Sequence, residues 1–252
     1  MEKLGVVGFP SDWLIASQVD YKLVEDKLGI ELVDVPIEEV TSLGVVDKGM
    51  AGAEKIYERL KEIIAKYELS GLTLRCFDLL STVQNTGCIA LSKLNDEGIP
   101  AACEGDISAL LTMLFCKRLT GCCGFQANPA RIEMTDKGCR LLFAHCTIPL
   151  CMCKEHSYTT HFESGIGVAI HGELPFGDYT LVKVSGMLDR VFAEDVQLVA
   201  NQYEANLCRT QVWLEGPALI ADYLLHRPIA NHHIILPGHH AAELKNLIGF
   251  GE

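Results

Sequence analysis

The sequence predicts an α/β protein, with an open parallel, Rossmann-like sheet in residues 1–120 and a β-rich, largely antiparallel, barrel-like domain in residues 121–252. In the first part, short apolar strands alternate with amphipathic helices, which is the order that produces parallel sheets. In the second part, strand-like segments follow one another and are separated by turns containing Gly, Pro and Asp. The change of pattern falls at Thr120 and Gly121.

Four strand-like segments alternate with helices in residues 1–120. The predicted strands are 3–10, 30–35, 71–76 and 99–103, and the predicted helices are 14–28, 51–67, 88–94 and 107–119. Residues 11–13 offer an N-cap to the first helix and Gly29 ends it, while Asp106 or Ser108 can cap the last helix. This order of elements favours one parallel sheet covered by helices.

Strands dominate the remainder of the chain. Segments 131–135 and 139–144 flank Asp136–Gly138, a pattern typical of a β-hairpin. Further predicted elements are strands at 165–171, 179–185, 191–193, 208–214 and 234–236 and a terminal helix at 241–247. Such a succession of short strands without intervening long helices favours an antiparallel architecture.

Charge, hydropathy and cysteine content restrict the class of protein. The net charge of -12 and the absence of any Lys/Arg run argue against a nucleic-acid partner. No apolar run is long enough for a bilayer span, and the N-terminus leads into a strand without a signal-peptide pattern. The eleven cysteines are an odd number in segments that look buried, as expected of reduced thiols. We therefore expect a cytoplasmic protein that acts on a small molecule and binds no membrane.

Two predicted strands end in side chains suited to binding. Glu104 follows strand 99–103 directly, and Arg75 lies at the end of strand 71–76. Ligands of open α/β sheets bind outside the C-terminal ends of the strands, so Glu104 is expected at a metal or substrate site. The alternative is that the acids around Gly105 only cap a helix. Arg75 could clamp a polar ligand or simply pair with Asp78.

Histidines at strand ends extend this hypothesis. His145 ends an apolar strand, and His232 introduces the last one. One carboxylate with two such histidines is a plausible site for a hard divalent cation such as manganese, magnesium or cobalt. A lone histidine at a strand end is more often a structural residue, so the grouping itself is the hypothesis.

Two weaker interpretations involve cysteine. Half of a zinc site is suggested by three residues of the types that bind zinc: Cys151, Cys153 and His156. The second Cys pair that a structural site needs is absent. Cys146 could act as a nucleophile beside His145, although adjacent residues of a strand point to opposite faces. A hydrolase or thiol enzyme is therefore the third alternative.

Several short motifs together carry a resemblance to a known family. They are Leu74-Arg75-Cys76, Gly87-Cys88-Ile89-Ala90-Leu91-Ser92, Cys103-Glu104-Gly105-Asp106, Leu119-Thr120-Gly121, Ala144-His145-Cys146-Thr147, Thr160-His161-Phe162-Glu163-Ser164-Gly165, Asn231-His232 and Gly238. The chain resembles the L-fucose and L-arabinose isomerase family, most of all its shorter fucose isomerase-like proteins. The resemblance covers that family's second α/β domain and its C-terminal β-rich domain, without the first α/β domain.

The resemblance implies an aldose–ketose isomerase that works through a cis-enediol with a divalent metal, usually manganese. It implies that Glu104 is a metal ligand and the proton shuttle, and that His145 and His232 are metal ligands. Arg75, Asp12 and Trp13 are weaker candidates for substrate contacts, with strand-end and capping roles as the alternative. Family members form trimers or hexamers, so a homo-oligomer is expected.

One position departs from the family pattern. The second metal carboxylate of fucose isomerases is expected 24 residues after Glu104, where this chain has Asn128. An amide can coordinate a hard cation, but it brings no negative charge and cannot act as a base. We therefore expect Asn128 to fill the fourth ligand position with reduced metal affinity. The rival hypothesis is a non-catalytic sugar-binding or regulatory protein.

Overall fold

A parallel four-stranded sheet forms the first part of the chain in the computed structural model, which describes residues 1–249. Its strands have the order β2-β1-β3-β4, with β1 at Glu2–Val7, β2 at Ile30–Val35, β3 at Gly71–Leu74 and β4 at Ala101–Cys103. Every pair in this sheet is parallel. The C-terminal ends of β3 and β4 therefore lie side by side, since Leu74 pairs with Cys103.

Helices cover this sheet as expected, with one difference near the N-terminus. They are α1 (Tyr21–Leu28), α2 (Glu38–Thr41), α3 (Met50–Tyr67), α4 (Asp78–Thr82), α5 (Cys88–Asp96) and α6 (Ile107–Thr120). The predicted start of the first helix at residue 14 is wrong. Asp20 is the N-cap of α1 and accepts a hydrogen bond from the Leu23 amide, while residues 8–20 form a loop. Gly29 ends α1 in the left-handed conformation, as predicted.

A closed six-stranded barrel confirms the antiparallel second part. The strands are β5 (Phe125–Thr135), β6 (Gly138–His145), β7 (Glu155–Thr159), β8 (Ala169–Glu173), β9 (Gly177–Val184), β10 (Val191–Gln202), β11 (Thr210–Gly216) and β12 (His233–Pro237). The barrel order is β10-β11-β6-β5-β12-β9, and β7 pairs separately with β8. The hairpin predicted at Asp136–Gly138 joins β5 to β6.

Two helices complete the second part: α7 (Ala218–His226) and α8 (Ala241–Ile248). The sequence pattern predicted α8 but not α7, whose N-cap is Pro217. The Tyr223 ring of α7 stacks on Phe192 of β10, with ring centroids 3.7 Å apart, and its hydroxyl lies 2.9 Å from His233 Nε2. Contacts with the barrel thus hold a helix that periodicity alone did not reveal.

Helix α6 packs between the sheet and the barrel. Asp106 caps it, and residues 107–116 are buried. Its apolar side chains share a core with Val182 and Val184 of β9 and with Ile234 of β12. The boundary at residue 120 stays a prediction, because this core is continuous across it. No helix within residues 1–249 is long and apolar enough to cross a membrane.

Candidate metal centre

A tight turn directs Glu104 away from the end of β4. Glu104 and Gly105 both have left-handed backbones, with φ of +61° and +63°. A Cβ atom on Gly105 would lie 2.8 Å from the Phe9 carbonyl oxygen, so the turn needs glycine there. The preceding strand is fixed as well, because the Gln126 side chain accepts from the Cys103 amide at 2.8 Å and donates to its carbonyl.

Two histidines from the barrel approach the Glu104 carboxylate. Glu104 Oε1 lies 3.4 Å from His145 Nε2 and 3.5 Å from His232 Nε2. His145 ends β6 and His232 immediately precedes β12, and these two strands flank β5. The three residues form the one group of possible metal ligands of this size within residues 1–249, with ligand atoms within 4.8 Å of one another. The grouping expected from the sequence is therefore present.

The other ring nitrogen of each histidine is held by an oxygen atom. His232 Nδ1 lies 3.0 Å from Asp106 Oδ2, and His145 Nδ1 lies 2.9 Å from the Thr147 hydroxyl. When each Nδ1–H is donated to these oxygens, loss of the remaining ring proton leaves the Nε2 lone pair available to a cation. Metal-binding histidines usually show this arrangement, in which a second group orients the ring.

Both carboxylate oxygens of Asp106 have hydrogen-bond or ion-pair partners. Its Oδ1 atom accepts from the Ser108 hydroxyl and the Ala109 amide, each at 2.8 Å. Its Oδ2 atom lies 3.4 Å from Nζ of Lys183, and both side chains have no solvent exposure. A completely buried ion pair requires such close compensation, since an unpaired buried charge is very costly. Asp106 therefore both caps α6 and fixes His232.

The protonation states follow from these contacts. Burial raises the pKa of Glu104, but the neighbouring His145 and His232 outweigh burial and hold the pKa well below its ordinary value. Burial lowers the pKa of His145. For His232, burial acts in the same direction, but Asp106 and Glu104 outweigh it and raise the pKa to about 9. The site thus offers a carboxylate and a neutral imidazole, and cation binding would displace a proton from His232.

The residues present fit a divalent cation. The Nε2 atoms of His145 and His232 are buried and have no hydrogen-bond partner among the described residues. Buried polar atoms without partners are rare, because each costs free energy. Two imidazoles and one carboxylate are a ligand set that first-row divalent metals accept. The metal's identity stays a prediction.

A cleft of about 660 Å³ opens beside the triad. Its wall includes Glu104, Asn128 and Trp13. Asn128 lies on β5, between the strands that carry the two histidines, and pairs with Ala144 of β6. A larger cavity of about 970 Å³ lies at β10, α7 and α8 and contains none of the triad.

The three expected substrate contacts lie on or next to this cleft. Trp13 Nε1 donates to Glu104 Oε2 at 3.3 Å. Arg75 stacks over the Trp13 ring, with its guanidinium carbon 4.6 Å from the ring centroid, and pairs with Asp12 and Asp78, each at 3.2 Å. Arg75 also donates to the Pro10 carbonyl at 3.0 Å. It thus fixes the loop that carries Trp13, and its direct contact with substrate stays a prediction.

Sequence reasoning missed three charged residues near the triad. Asp106 was interpreted only as a cap or a neighbouring acid, although it also orients His232. The signal for Lys183 was a charge within the apolar run Leu181–Val184. Glu163 lines the cleft from a loop and had no assigned role. Sequence patterns do not indicate the roles of such residues, because their partners are distant in sequence.

The structure does not support the zinc interpretation, and a nucleophilic role of Cys146 stays a prediction. No metal-ligand group containing Cys151, Cys153 or His156 occurs among the residues described. Cys146 packs with Cys88 and Ala169, while its neighbour His145 faces Glu104. The expected separation of Cys146 from His145 on opposite faces of the strand agrees with these contacts.

About half of the chain is similar in sequence to known proteins. Part of the chain resembles sulfoquinovose isomerases. It is 27% identical over 127 residues to the sulfoquinovose isomerase of Alkalicoccus urumqiensis and 24% identical over 124 residues to that of Clostridium sp. (strain MSTE9). These matches cover 50% and 49% of this chain but only 28% and 26% of the relatives. No family model matches the chain.

Both of these relatives are named as isomerases of a sugar. The matched part spans about a quarter of the length of the curated relatives, at 28% and 26%. The narrower resemblance to L-fucose isomerases stays a prediction, as does the substrate.

Proposed function

We propose that this chain carries a metal-dependent aldose–ketose isomerase site built from Glu104, His145 and His232. The observation that carries the proposal is the convergence on one carboxylate oxygen of two buried Nε2 atoms that have no hydrogen-bond partner within residues 1–249. Three side chains from two different architectures meet there, at the C-terminal edge of a parallel sheet where ligands of such sheets bind. The similarity to named sugar isomerases agrees with this class of reaction.

Glu104, His145 and His232 would hold the cation, and Asn128 is the candidate for a further neutral ligand from the cleft wall. Manganese is the first choice, as the family resemblance implies, with magnesium and cobalt as alternatives. The carboxylate and amide oxygens suit manganese and magnesium, whereas the two imidazoles favour a transition metal over magnesium. When bound, such a cation stabilises negative charge that develops on the substrate's oxygen atoms.

The two oxygens of Glu104 suit two tasks. Oε1 faces the histidines, whereas Oε2 accepts from Trp13 on the cleft side. In the proposed reaction, the carboxylate removes the proton from C2 of the aldose and returns it to C1. The C2–H bond breaks and a C1–H bond forms, so no oxidant or reductant is needed. Positioned carboxylates typically contribute ~10²–10⁴-fold to such proton transfers.

The cleft provides a suitable place for a monosaccharide. Its volume of about 660 Å³ falls within the range usual for small-molecule sites. Trp13 and Phe77 contribute an aromatic wall, with their rings in an edge-to-face contact at 5.6 Å. Such a wall covers apolar faces of a sugar, while Glu104 and Asn128 meet its hydroxyl groups.

The test is ketose formation by the metal-stripped protein after addition of manganese. The substrates would include free pentoses, 6-deoxyhexoses, their phosphates and sulfoquinovose. We expect turnover of at least one sugar in the wild type and none in Glu104→Gln, which keeps the size of the side chain but loses the base. Absence of turnover with every sugar in the metal-loaded wild type would refute the catalytic proposal.

Asn128 favours a second candidate function, a sugar-binding protein without turnover. Its amide lines the cleft where the resemblance led us to expect a carboxylate. The discriminating variant is Asn128→Asp, which adds a charge without changing the shape. Isomerase activity that appears only in this variant would favour a disarmed enzyme. Sugars that raise the melting temperature of both proteins without turnover would favour binding alone.

A further inference from the structure

Within residues 1–249, only two of the residues that line the cleft have side chains able to transfer a proton. They are Glu104 and Glu163. The other described lining residues are apolar, aromatic or amide side chains, among them Asn128 and Asn231. An amide does not exchange protons at neutral pH, so Asn128 cannot serve as an acid or base. A second proton transfer from the protein would therefore depend on Glu163.

Glu163 comes from the barrel half, whereas Glu104 comes from the sheet half. Its loop joins β7 to β8 and is held at both ends. Arg209 Nε donates to the Thr160 carbonyl at 2.8 Å, and the Thr86 hydroxyl donates to the Val168 carbonyl at 3.1 Å. The second of these bonds ties the loop to the sheet half.

The loop is also closed on itself around His161. The Gly165 amide donates to the His161 carbonyl at 2.9 Å, and the His161 amide donates to the Ile166 carbonyl at 3.2 Å. The Ser164 hydroxyl lies 3.0 Å from His161 Nδ1. Glu163 thus lies within a turn fixed by hydrogen bonds, which defines where its carboxyl group enters the cleft.

The carboxyl group of Glu163 is available for chemistry. It is open to solvent through the cleft and has no hydrogen bond or ion pair to other described residues. Partial burial and, less strongly, the negative charge of Glu104 raise the pKa of Glu163. The two carboxyl groups line one cleft, Glu104 from the sheet half and Glu163 from the barrel half.

Aldose–ketose interconversion moves protons at oxygen as well as at carbon. One proton passes from C2 to C1, and a second is lost from the O2 hydroxyl while O1 gains one. We propose that Glu163 is the second catalytic residue and transfers the oxygen-bound proton, while Glu104 transfers the carbon-bound proton. This inference rests on the function proposed above and assigns to Glu163 the task that Asn128 cannot perform.

The proposed step balances without a co-reactant. Glu104 removes the proton from C2, which leaves an enediolate with its negative charge on O1. The Glu163 carboxylate takes the proton of the O2 hydroxyl and delivers it to O1, and C1 then accepts the proton held by Glu104. Both carboxyl groups end in their starting states, and the aldose has become the ketose.

The experiment compares Glu163→Gln and Glu163→Ala with Glu155→Gln and Glu155→Ala. Glu155 is an exposed glutamate on β7 of the same hairpin and does not line the cleft. We would measure manganese affinity by calorimetry, sugar binding by the fluorescence of the two tryptophans, Trp13 and Trp213, and kcat and KM with the sugar that the wild type turns over. Formate would be added to each alanine variant as a replacement carboxylic acid.

We expect Glu163→Gln to lower kcat by ~10²–10⁴-fold, with manganese affinity and KM little changed. Formate should restore part of the activity of Glu163→Ala and leave Glu155→Ala unchanged. A wild-type kcat in Glu163→Gln would overturn the role of Glu163 alone. Lost manganese affinity in that variant would make Glu163 a metal ligand and also overturn it. A wild type that binds manganese and sugar without turnover would overturn the isomerase proposal and this step with it.

Discussion

At the scale of single residues, the orientation of His232 depends on one carboxylate with several simultaneous contacts. Asp106 caps α6, accepts from Ser108 and pairs with both His232 and Lys183. The sequence indicated the cap correctly, because Asp before an apolar helix is a strong N-terminal signal. It did not indicate the contact with His232, which lies 126 positions further along the chain.

Replacing Asp106 by asparagine separates its role as the cap of α6 from its role in orienting His232. Asp106→Asn keeps an oxygen for the Ala109 amide but removes the charge that faces His232 and Lys183. We expect manganese affinity to fall by ~10–100-fold, the usual effect of losing a group that orients a metal ligand. Calorimetric titration of the metal-stripped protein would measure the change.

Asp20→Asn is the matched control for this substitution. Asp20 caps α1 in the same way, through the Leu23 amide, but forms no contact with the triad. Equal losses of manganese affinity in both variants would show that Asp106 acts only through general stability.

At the scale of the elements, the turn after β4 decides where Glu104 points. The turn has two consecutive left-handed residues, and the Phe9 backbone approaches it closely. Sequence analysis placed the strand and the helix on either side correctly. The conformation between them could not be predicted, because it depends on the loop at residues 8–20, which was expected to be partly helical.

Gly105→Ala tests this turn. The new Cβ would meet the Phe9 carbonyl oxygen, and the left-handed conformation itself costs ~1–2 kcal/mol for a residue other than glycine. We expect lower stability in urea together with weaker manganese binding, because relief of the clash moves Glu104.

The matched control is Gly98→Ala. Gly98 is also left-handed, with φ of +74°, but a Cβ there would have no atom within 4 Å. This variant should lose similar conformational stability and keep its manganese affinity. Retained affinity in Gly105→Ala as well would disprove the positioning role of the turn.

At the scale of the whole molecule, the candidate metal centre joins the two architectures. Glu104 belongs to the sheet half, while His145 and His232 belong to the barrel half. A ligand that binds only the folded state stabilises it, and a concentration of 100 times Kd contributes ~2.7 kcal/mol. Manganese should therefore raise the melting temperature of the entire chain, and EDTA should reverse the shift.

Differential scanning calorimetry would measure this effect, with Glu104→Ala as the control. The variant should melt at the same temperature with and without manganese, since it lacks the carboxylate between the histidines. A manganese shift of equal size in the variant would place the cation elsewhere in the protein.

Local patterns in the sequence predict both architectures, because hydrophobic periodicity defines strands and helices. Polar side chains at strand ends also single out Glu104, His145 and His232, whose role as metal ligands stays a prediction. The helix caps Asp106 and Gly29 could also be predicted from the sequence, because capping depends on hydrogen bonds between residues a few positions apart.

The way these elements combine is known from the folded structure alone. The structure shows the buried Asp106–Lys183 pair, the Trp13 loop held by Arg75 and the position of Glu163 in the wall of the same cleft as Glu104. Each depends on contacts between residues far apart in the chain. Local patterns carry no information about such contacts, since they arise from packing the sheet, the barrel and α6 around one core.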